Sequence, residues 1–444
     1  MECRVVPPAP YVTETKVGRN DSSSRIAHQS CSSPASSRGG KNSNEKDRSP
    51  SRTRSPILRV RWFAMGDILG SGPAAARWRP LASLGAVRAS EGDWDSASFR
   101  DRIQTAVDAF VDEQAGQLGP LGGDAARLVR EAHTSVSGGK RFRAAFCYWG
   151  HRAVAADVPD ETALVRACAS LELLHASALV HDDLMDASDT RRGHPATHRL
   201  FESEHRAAGW RGDPEQYGAA AAILLGDLLL SWADELLRRC GLPIAQVAPA
   251  LEVFDRCRTE VIAGQFLDVS VQARGRADVE TAMTVLRYKS AKYSIERPLH
   301  IGAALAGAGP ETMAELSAFG LPLGEAFQLR DDLLGVFGDP ETTGKPAGDD
   351  LIEGKRTVLV ALALDAAPPA DAALLDRSLG TALTVEQVSE LRRIIAASGA
   401  HAQVEAVITE LATHAVTALD KADIHDDARR VLRQLASAAT QRVV

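Results

Sequence analysis

The chain has 444 residues, 45% hydrophobic, 25% charged and only 5% aromatic, which is the balance of a globular protein and not of a fibrous or low-complexity one. Its net charge is −7, and an acidic body argues against nucleic acid as the main partner. No run of uncharged apolar residues reaches membrane-spanning length, which argues against a transmembrane segment.

The charge is uneven. Residues 1–64 carry twelve basic and five acidic side chains, a net +7 that leaves −14 on the rest. This stretch is rich in Ser, Arg, Pro and Asn, so it lacks the apolar surface to build a core and is expected to be a disordered tail. It reads as dispensable, with Met65 as an alternative start; a targeting peptide and a basic binding arm are the other readings. Residues 65–94 read as a linker and 95–444 as one catalytic domain.

That domain reads as all-α. Leu164, Cys168, Leu171, His175 and Ala178 recur at helical spacing. Residues 311–334 do the same through Met313, Leu316, Leu323, Phe327 and Leu334, opened by Gly309-Pro310 and closed by Gly338-Asp339-Pro340. Thr384-Val385-Glu386-Gln387 has the form of a capping box, for a helix ending near Gly399. The six cysteines are scattered and none forms a CxxC pair. They read as small core residues or free thiols, and the expected location is the cytoplasm.

Chemistry concentrates in two acidic clusters, each ending a long apolar stretch. The first is His181-Asp182-Asp183-Leu184-Met185-Asp186; the second is Gln328-Leu329-Arg330-Asp331-Asp332. On a helix Asp182 and Asp186 share a face, where they repel each other unless a cation compensates. Oxygen ligands without His or Cys suit magnesium, which keeps waters and bridges to phosphates. A lone cluster of this kind is more often a solvated helix end. Here Gly138-Gly139-Lys140-Arg141-Phe142-Arg143, Arg191-Arg192-Gly193, Lys289, Lys292, Lys345 and Lys355-Arg356 add separate cations, some beside flexible glycines. Two carboxylate clusters with several cation groups suggest two diphosphates.

On these residues the chain resembles the trans-isoprenyl diphosphate synthases (polyprenyl synthetases), most of all bacterial geranylgeranyl diphosphate synthases. The resemblance covers roughly residues 95–444: GGKRFR at 138–143, LELLHASALVHDDLMD at 171–186, RRG at 191–193, GQFLD at 264–268, KSAKYS at 289–294 and FQLRDDLLGVFGDPETTGKPAGDDLIEGKRT at 327–357. It implies an all-α isoprenoid-synthase bundle around a deep central cavity, usually homodimeric, that joins isopentenyl diphosphate to an allylic diphosphate. By resemblance Asp182 and Asp186 are the principal metal ligands, assisted by Asp183, while Asp331 takes the remaining metal with Asp332 in support. Three magnesium ions per site are implied, with manganese as a substitute. Arg191, Lys289 and Lys345 match contacts to the allylic diphosphate. Lys140, Arg143, His175 and Arg192 match the isopentenyl diphosphate pocket. Ser290 and Gln328 match positions near the developing carbocation, and Gln265 and Asp268 line the same cavity. His175 alone would read as a core histidine.

One departure stands out. Relatives with two full DDxxD motifs carry an aspartate where this chain has Gly335. Asp339 is the alternative carboxylate one turn on, although Pro340 threatens the helix there. Small residues at Ser177 and Ala178, one turn below the first cluster, leave room for a growing chain, with Leu174 and Leu171 deeper. The expected product is geranylgeranyl diphosphate, with farnesyl or longer polyprenyl diphosphates as alternatives. A class I terpene cyclase has no use for Lys140, Arg143 and Arg192, and a non-catalytic subunit usually lacks the first acidic cluster.

Overall fold

The computed structural model describes residues 97–276, 278–339 and 348–441. The tail, the linker and Lys345 therefore lie outside the described residues. The described part is helical apart from one short hairpin, as the sequence pattern predicts. Its first helices are α1 (Ala97–Leu118), α2 (Gly123–Val136), α3 (Phe142–Val154) and α4 (Glu161–Met185). After the hairpin come α5 (Thr197–Ala208), α6 (Pro214–Arg238), α7 (Ile244–Arg274) and α8 (Val279–Val285). A π-helix, Leu286–Glu296, links α8 directly to α9 (Arg297–Leu305). Then follow α10 (Pro310–Phe337), α11 (Asp349–Glu353), α12 (Val358–Ala366) and α13 (Pro369–Ser378). The last three are α14 (Val385–Ala397), α15 (Ala400–Lys421) and α16 (Asp426–Thr440).

Helix α4 is central because it is apolar on nearly every face: Leu164, Cys168, Leu171, Leu173, Leu174 and Val180 are all buried. Asp160 caps its start, its carboxylate accepting from Ala163 N at 2.9 Å. By length and composition α4 is also apolar enough to cross a membrane, which the reading by uncharged runs missed, because Arg166 and Glu172 interrupt the run. However, 78% of its most apolar window is buried inside the bundle. Helix α6 packs along it, α3 against α9, and the π-helix lies between α7 and α10. A second apolar cluster joins the end of α10 to α12, α14 and α15.

The local signals hold. Pro310 opens α10, which ends at Phe337, so Asp339 lies beyond the helix and is exposed. The helix that would carry Asp339 inward thus stops two residues before it. The Thr384 capping box forms, and the next helix starts after Gly399 in the left-handed region. Cys147, Cys168, Cys240 and Cys257 are buried free thiols.

Candidate active site

The first acidic wall is the end of α4. Asp182 and Asp186 are one turn apart, and Asp186 terminates the helix, its backbone N–H donating to Asp182 O at 2.8 Å. Burial opposes charge on Asp182, but Lys289 and then Lys355 outweigh it and hold the carboxyl down at about 2. Asp186 goes the other way: burial, then the Asp182 charge, push it up to about 6. Its side chain is only 2% exposed, and its Oδ1 has no hydrogen-bond partner among the described residues. Asp183 is buried and grips Arg191, whose Nε donates to Oδ1 at 2.9 Å and to Oδ2 at 3.1 Å. Arg191 comes from the hairpin Thr190–Arg191 and His194–Pro195, in which Arg191 pairs with His194. Its turn residues, Arg192 and Gly193, both have positive φ (51° and 78°), as a tight two-residue hairpin requires.

Opposite stands the π-helix. Lys289 Nζ lies 3.0 Å from Asp182 Oδ1 and 2.7 Å from Asp268 Oδ2. Gln265 Nε2 donates to Asp182 Oδ1 at 2.9 Å. This close approach of α7 requires Gly264, since a Cβ there would meet the Tyr288 carbonyl carbon at 2.6 Å and Lys289 Cα at 2.8 Å. On the other side, a Cβ at Gly324 of α10 would meet Ala291 Cα at 2.8 Å. The π-helix is thus clamped between two glycine contacts, and Lys289 is fixed beside Asp182. A π-helical stretch among α-helices often marks a functional site.

The second acidic wall lies on α10. Gln328 Nε2 donates to Asp332 Oδ1 at 2.8 Å. Asp332 is buried, and burial, then the Asp350 charge, push it up to about 8. Asp331 precedes it at a half-buried position. Arg330 turns away and binds Glu405 Oε2 at 2.7 Å and Thr440 O at 3.1 Å, tying α10 to α15 and α16. Between the two walls stands Lys355, its Nζ 3.4 Å from both Asp186 Oδ2 and Asp350 Oδ1 and paired with Glu353.

Among the described residues, no three His, Cys, Asp or Glu side chains converge closely enough to hold a metal alone. The donor set nevertheless fits magnesium: two carboxylates a turn apart, one with an orphaned, buried oxygen. Such an ion keeps several waters and takes oxygens from substrate phosphates. A protein-only cage is not the arrangement it needs.

A basic cluster forms behind α4. Arg141 is buried and donates to Glu172 Oε2 at 2.9 Å and to Val136 O at 2.7 Å, pinning the glycine loop to α4. Lys140 is exposed on this loop, and Arg192 lies against Gly139 with its Nη1 donating to Ser137 O at 2.7 Å. The Arg143 guanidinium stacks 4.3 Å from the Tyr293 ring centroid and donates to Ser294 Oγ at 2.8 Å. The Tyr293 hydroxyl lies 2.7 Å from His175 Nδ1. Burial, then the charges of Arg143, Arg192 and Arg191, hold the His175 pKa well below its usual value, so the ring is neutral. Leu174 and Ser177 are buried on α4, and Ala178 is half-buried against the main core.

The structure therefore gathers Asp182, Asp186, Gln265, Lys289 and Lys355 into one cluster, and His175, Arg143 and Tyr293 into another. The sequence pattern marked Lys355 only as extra charge and assigned no role to Asp350 or Tyr293. The spacing of Lys355 from Glu353 and Asp350 was the available signal.

The family described as polyprenyl synthetase matches residues 126–397. The short chain isoprenyl diphosphate synthase of Methanothermobacter thermautotrophicus is 34% identical over 278 residues, 62% of this chain and 79% of that protein. The geranylfarnesyl diphosphate synthase of Aeropyrum pernix is 34% identical over 235 residues, 52% of this chain and 68% of that one. Among solved structures, geranylgeranyl pyrophosphate synthase from Corynebacterium glutamicum, complexed with isoprenyl diphosphate and magnesium, superposes with a TM-score of 0.77. It shares 40% identity and covers 79% of this chain and all of its own.

Proposed function

This chain belongs to the polyprenyl synthetase family, and from that premise we propose that it joins isopentenyl diphosphate to an allylic diphosphate and releases all-trans geranylgeranyl diphosphate. It is a trans-prenyltransferase with the all-α fold of that family. The observation that carries the site assignment is Lys289 and Lys355 flanking Asp182 and Asp186, with one buried Asp186 oxygen still orphaned.

The reaction breaks the allylic carbon–oxygen bond, and the electron pair leaves with the diphosphate. The isopentenyl double bond then attacks the allylic carbon, and one proton is lost to restore a double bond. The released diphosphate is the proposed proton acceptor. Lys289, Arg191 and Lys355 sit where negative charge grows on the leaving group and favour ionisation. Arg191 is oriented for this by Asp183. Lys345 shares the role by resemblance. Ser290 and Gln328 face the electron-poor carbon with oxygen dipoles. On the other substrate, Lys140, Arg143 and Arg192 hold the isopentenyl diphosphate. The His175 ring is held in place by the hydrogen bond between its Nδ1 and the Tyr293 hydroxyl.

Magnesium, when bound, neutralises the departing diphosphate as a Lewis acid. Asp182 and Asp186 are the proposed ligands of two ions, and Asp331, with Asp332, of a third. Manganese accepts the same oxygen ligands and is the expected substitute. We also propose a homodimer, because Leu224 on α6 and Phe266 on α7 are 62% and 73% exposed, and Ile223 and Ile262 on the same helices are exposed as well. The proposed catalytic unit is 95–444, with 1–64 a dispensable tail and 65–94 a linker, and the proposed location is the cytoplasm.

Ala178→Phe tests product length. A ring there narrows the channel below Asp182, so the product shortens from twenty carbons towards fifteen on chromatography after dephosphorylation. An unchanged distribution removes Ala178 from the floor.

A further inference from the structure

Three charged side chains near the end of the π-helix are left unused by the reaction proposed above. Glu260 of α7 is mostly buried, its side chain 15% exposed, and it takes two cations. Lys292 Nζ donates to its Oε1 at 2.9 Å. Arg297 donates to both oxygens, from Nε to Oε2 at 2.7 Å and from Nη2 to Oε1 at 2.8 Å, the two-point fork that fits a carboxylate. Burial opposes charge on Glu260, but the hydrogen bonds from Arg297 and Lys292 outweigh it and hold its carboxyl below the usual value. Arg297 is braced in turn: its Nη1 lies 3.1 Å from His300 Nδ1, and the other nitrogen of that ring lies 3.1 Å from Met313 O on α10.

Lys292 and Arg297 stand five residues apart, and the Arg297 N–H donates to the Lys292 carbonyl. That bond closes the final π turn, so Glu260 ties together the side chains at the two ends of one such turn. On an α-helix, residues five apart stand about 140° apart round the axis and face different neighbours. The face of α7 that carries Glu260 also carries Gly264 and Asp268, one and two turns on. Gly264 admits the backbone of Tyr288 and Lys289, and Asp268 Oδ2 lies 2.7 Å from Lys289 Nζ. Successive turns of α7 therefore engage the π-helix, and Glu260 fixes the end that runs into α9.

We propose that Glu260 is a positioning residue for elongation: by bridging Lys292 and Arg297 it holds the final π turn in its five-residue register and so keeps Lys289 against Asp182. This rests on the reaction proposed above. Were that turn to relax to α-helix, the segment before it would rotate by about a quarter of a turn relative to α9, and the Lys289 ammonium would leave the first acidic wall. Glu260 acts through the backbone of the π-helix and not on the reacting atoms.

The test measures kcat for the full chain with magnesium, isopentenyl diphosphate and whichever allylic diphosphate the wild type extends fastest, with circular dichroism as a folding control. Glu260→Gln keeps the shape and removes the charge that both cations answer. It should lower kcat by about a hundredfold, the scale of a misplacement of about 1 Å at the reacting groups. Lys292→Met leaves the Arg297 fork in place; it should lower kcat by about tenfold, and it carries the test should Glu260→Gln not fold. A residue that acts through Lys289 has nothing left to position once Lys289 is gone. In a Lys289→Met background, either change should therefore lower kcat by no more than about twofold further. Wild-type kcat in either folded variant, or losses that multiply with that of Lys289→Met, overturn the inference. If the wild type elongates and only Lys289→Met is impaired, this inference falls alone. If the wild type extends no primer, the proposed reaction falls with it.

Discussion

The Lys289 ammonium lies 3.0 Å from Asp182 Oδ1, so a cation on the π-helix is paired with the first carboxylate of α4. The pair joins two elements more than a hundred residues apart in sequence and leaves both groups less than a quarter exposed. Asp268 Oδ2, 2.7 Å away, closes the group.

Lys289→Met should therefore act on stability and on turnover. It leaves two neighbouring carboxylates without their shared cation, and breaking a buried pair from one side costs about 3–5 kcal/mol. A thermal unfolding midpoint several degrees lower is expected, with kcat reduced by about a hundredfold or more through lost stabilisation of the leaving group. Wild-type kcat in a folded Lys289→Met protein would remove the residue from the reaction.

The metal-free protein should show an inverted pH response at Asp186. Its carboxyl is raised from the ordinary value to about 6. The folded state therefore holds the proton more tightly than the unfolded chain. Stability from this group is full below about pH 4, is lost as pH rises to about 6, and stays lost above. Asp186→Asn should stabilise the chelator-treated protein at pH 7 by about 2 kcal/mol and have little effect at pH 4. The same variant should lose magnesium-dependent turnover. Asp182 has the opposite sign: its depressed carboxyl stabilises above about pH 4, and that contribution is lost as pH falls towards 2. Denaturant titrations at pH 4 and pH 7 measure both.

Gly264→Ala adds one methyl group against the backbone of Tyr288 and Lys289. The π-helix has no room to retreat, because Gly324 meets it from the far side. Overpacking of this kind costs about 1–3 kcal/mol. A shift near 1 Å at Lys289 should lower kcat by about a hundredfold. Near-normal kinetics in Gly264→Ala would show that the close approach does not position the site.

Tyr293→Phe removes the hydroxyl 2.7 Å from His175 Nδ1. An enclosed imidazole nitrogen left without a partner costs about 1–3 kcal/mol. The KM for isopentenyl diphosphate should rise more than that for the allylic primer if His175 serves the former, as proposed. Equal changes in both would place Tyr293 in the general packing instead.

The helices and both acidic walls were legible in the sequence because their signals are local. Gly309-Pro310, the Thr384 capping box and the i, i+4 spacing of Asp182 and Asp186 each act within one or two turns. The π-helix was not legible: nothing in Leu286–Glu296 distinguishes it from α-helix until Gly264 and Gly324 press on it from two sides. Lys355 was seen as charge but not as a bridge, because its distance from Asp186 is set by the packing of α11 and not by spacing along the chain. Gly335 was visible as a departure, yet the approach of the Asp350 carboxylate to it is a contact across fifteen residues of chain. Asp183, expected to assist at the metal site, also grips Arg191, a contact that spacing along the chain does not reveal.

The measurement that bears most directly on the whole account is elongation itself. Labelled isopentenyl diphosphate is incubated with the protein, magnesium and C5, C10 or C15 allylic diphosphates, and the products are dephosphorylated and chromatographed. The account predicts a twenty-carbon alcohol, lost on chelation and reduced by orders of magnitude in Asp182→Asn. Recovery of every primer unextended, with magnesium present and the protein folded, would contradict it.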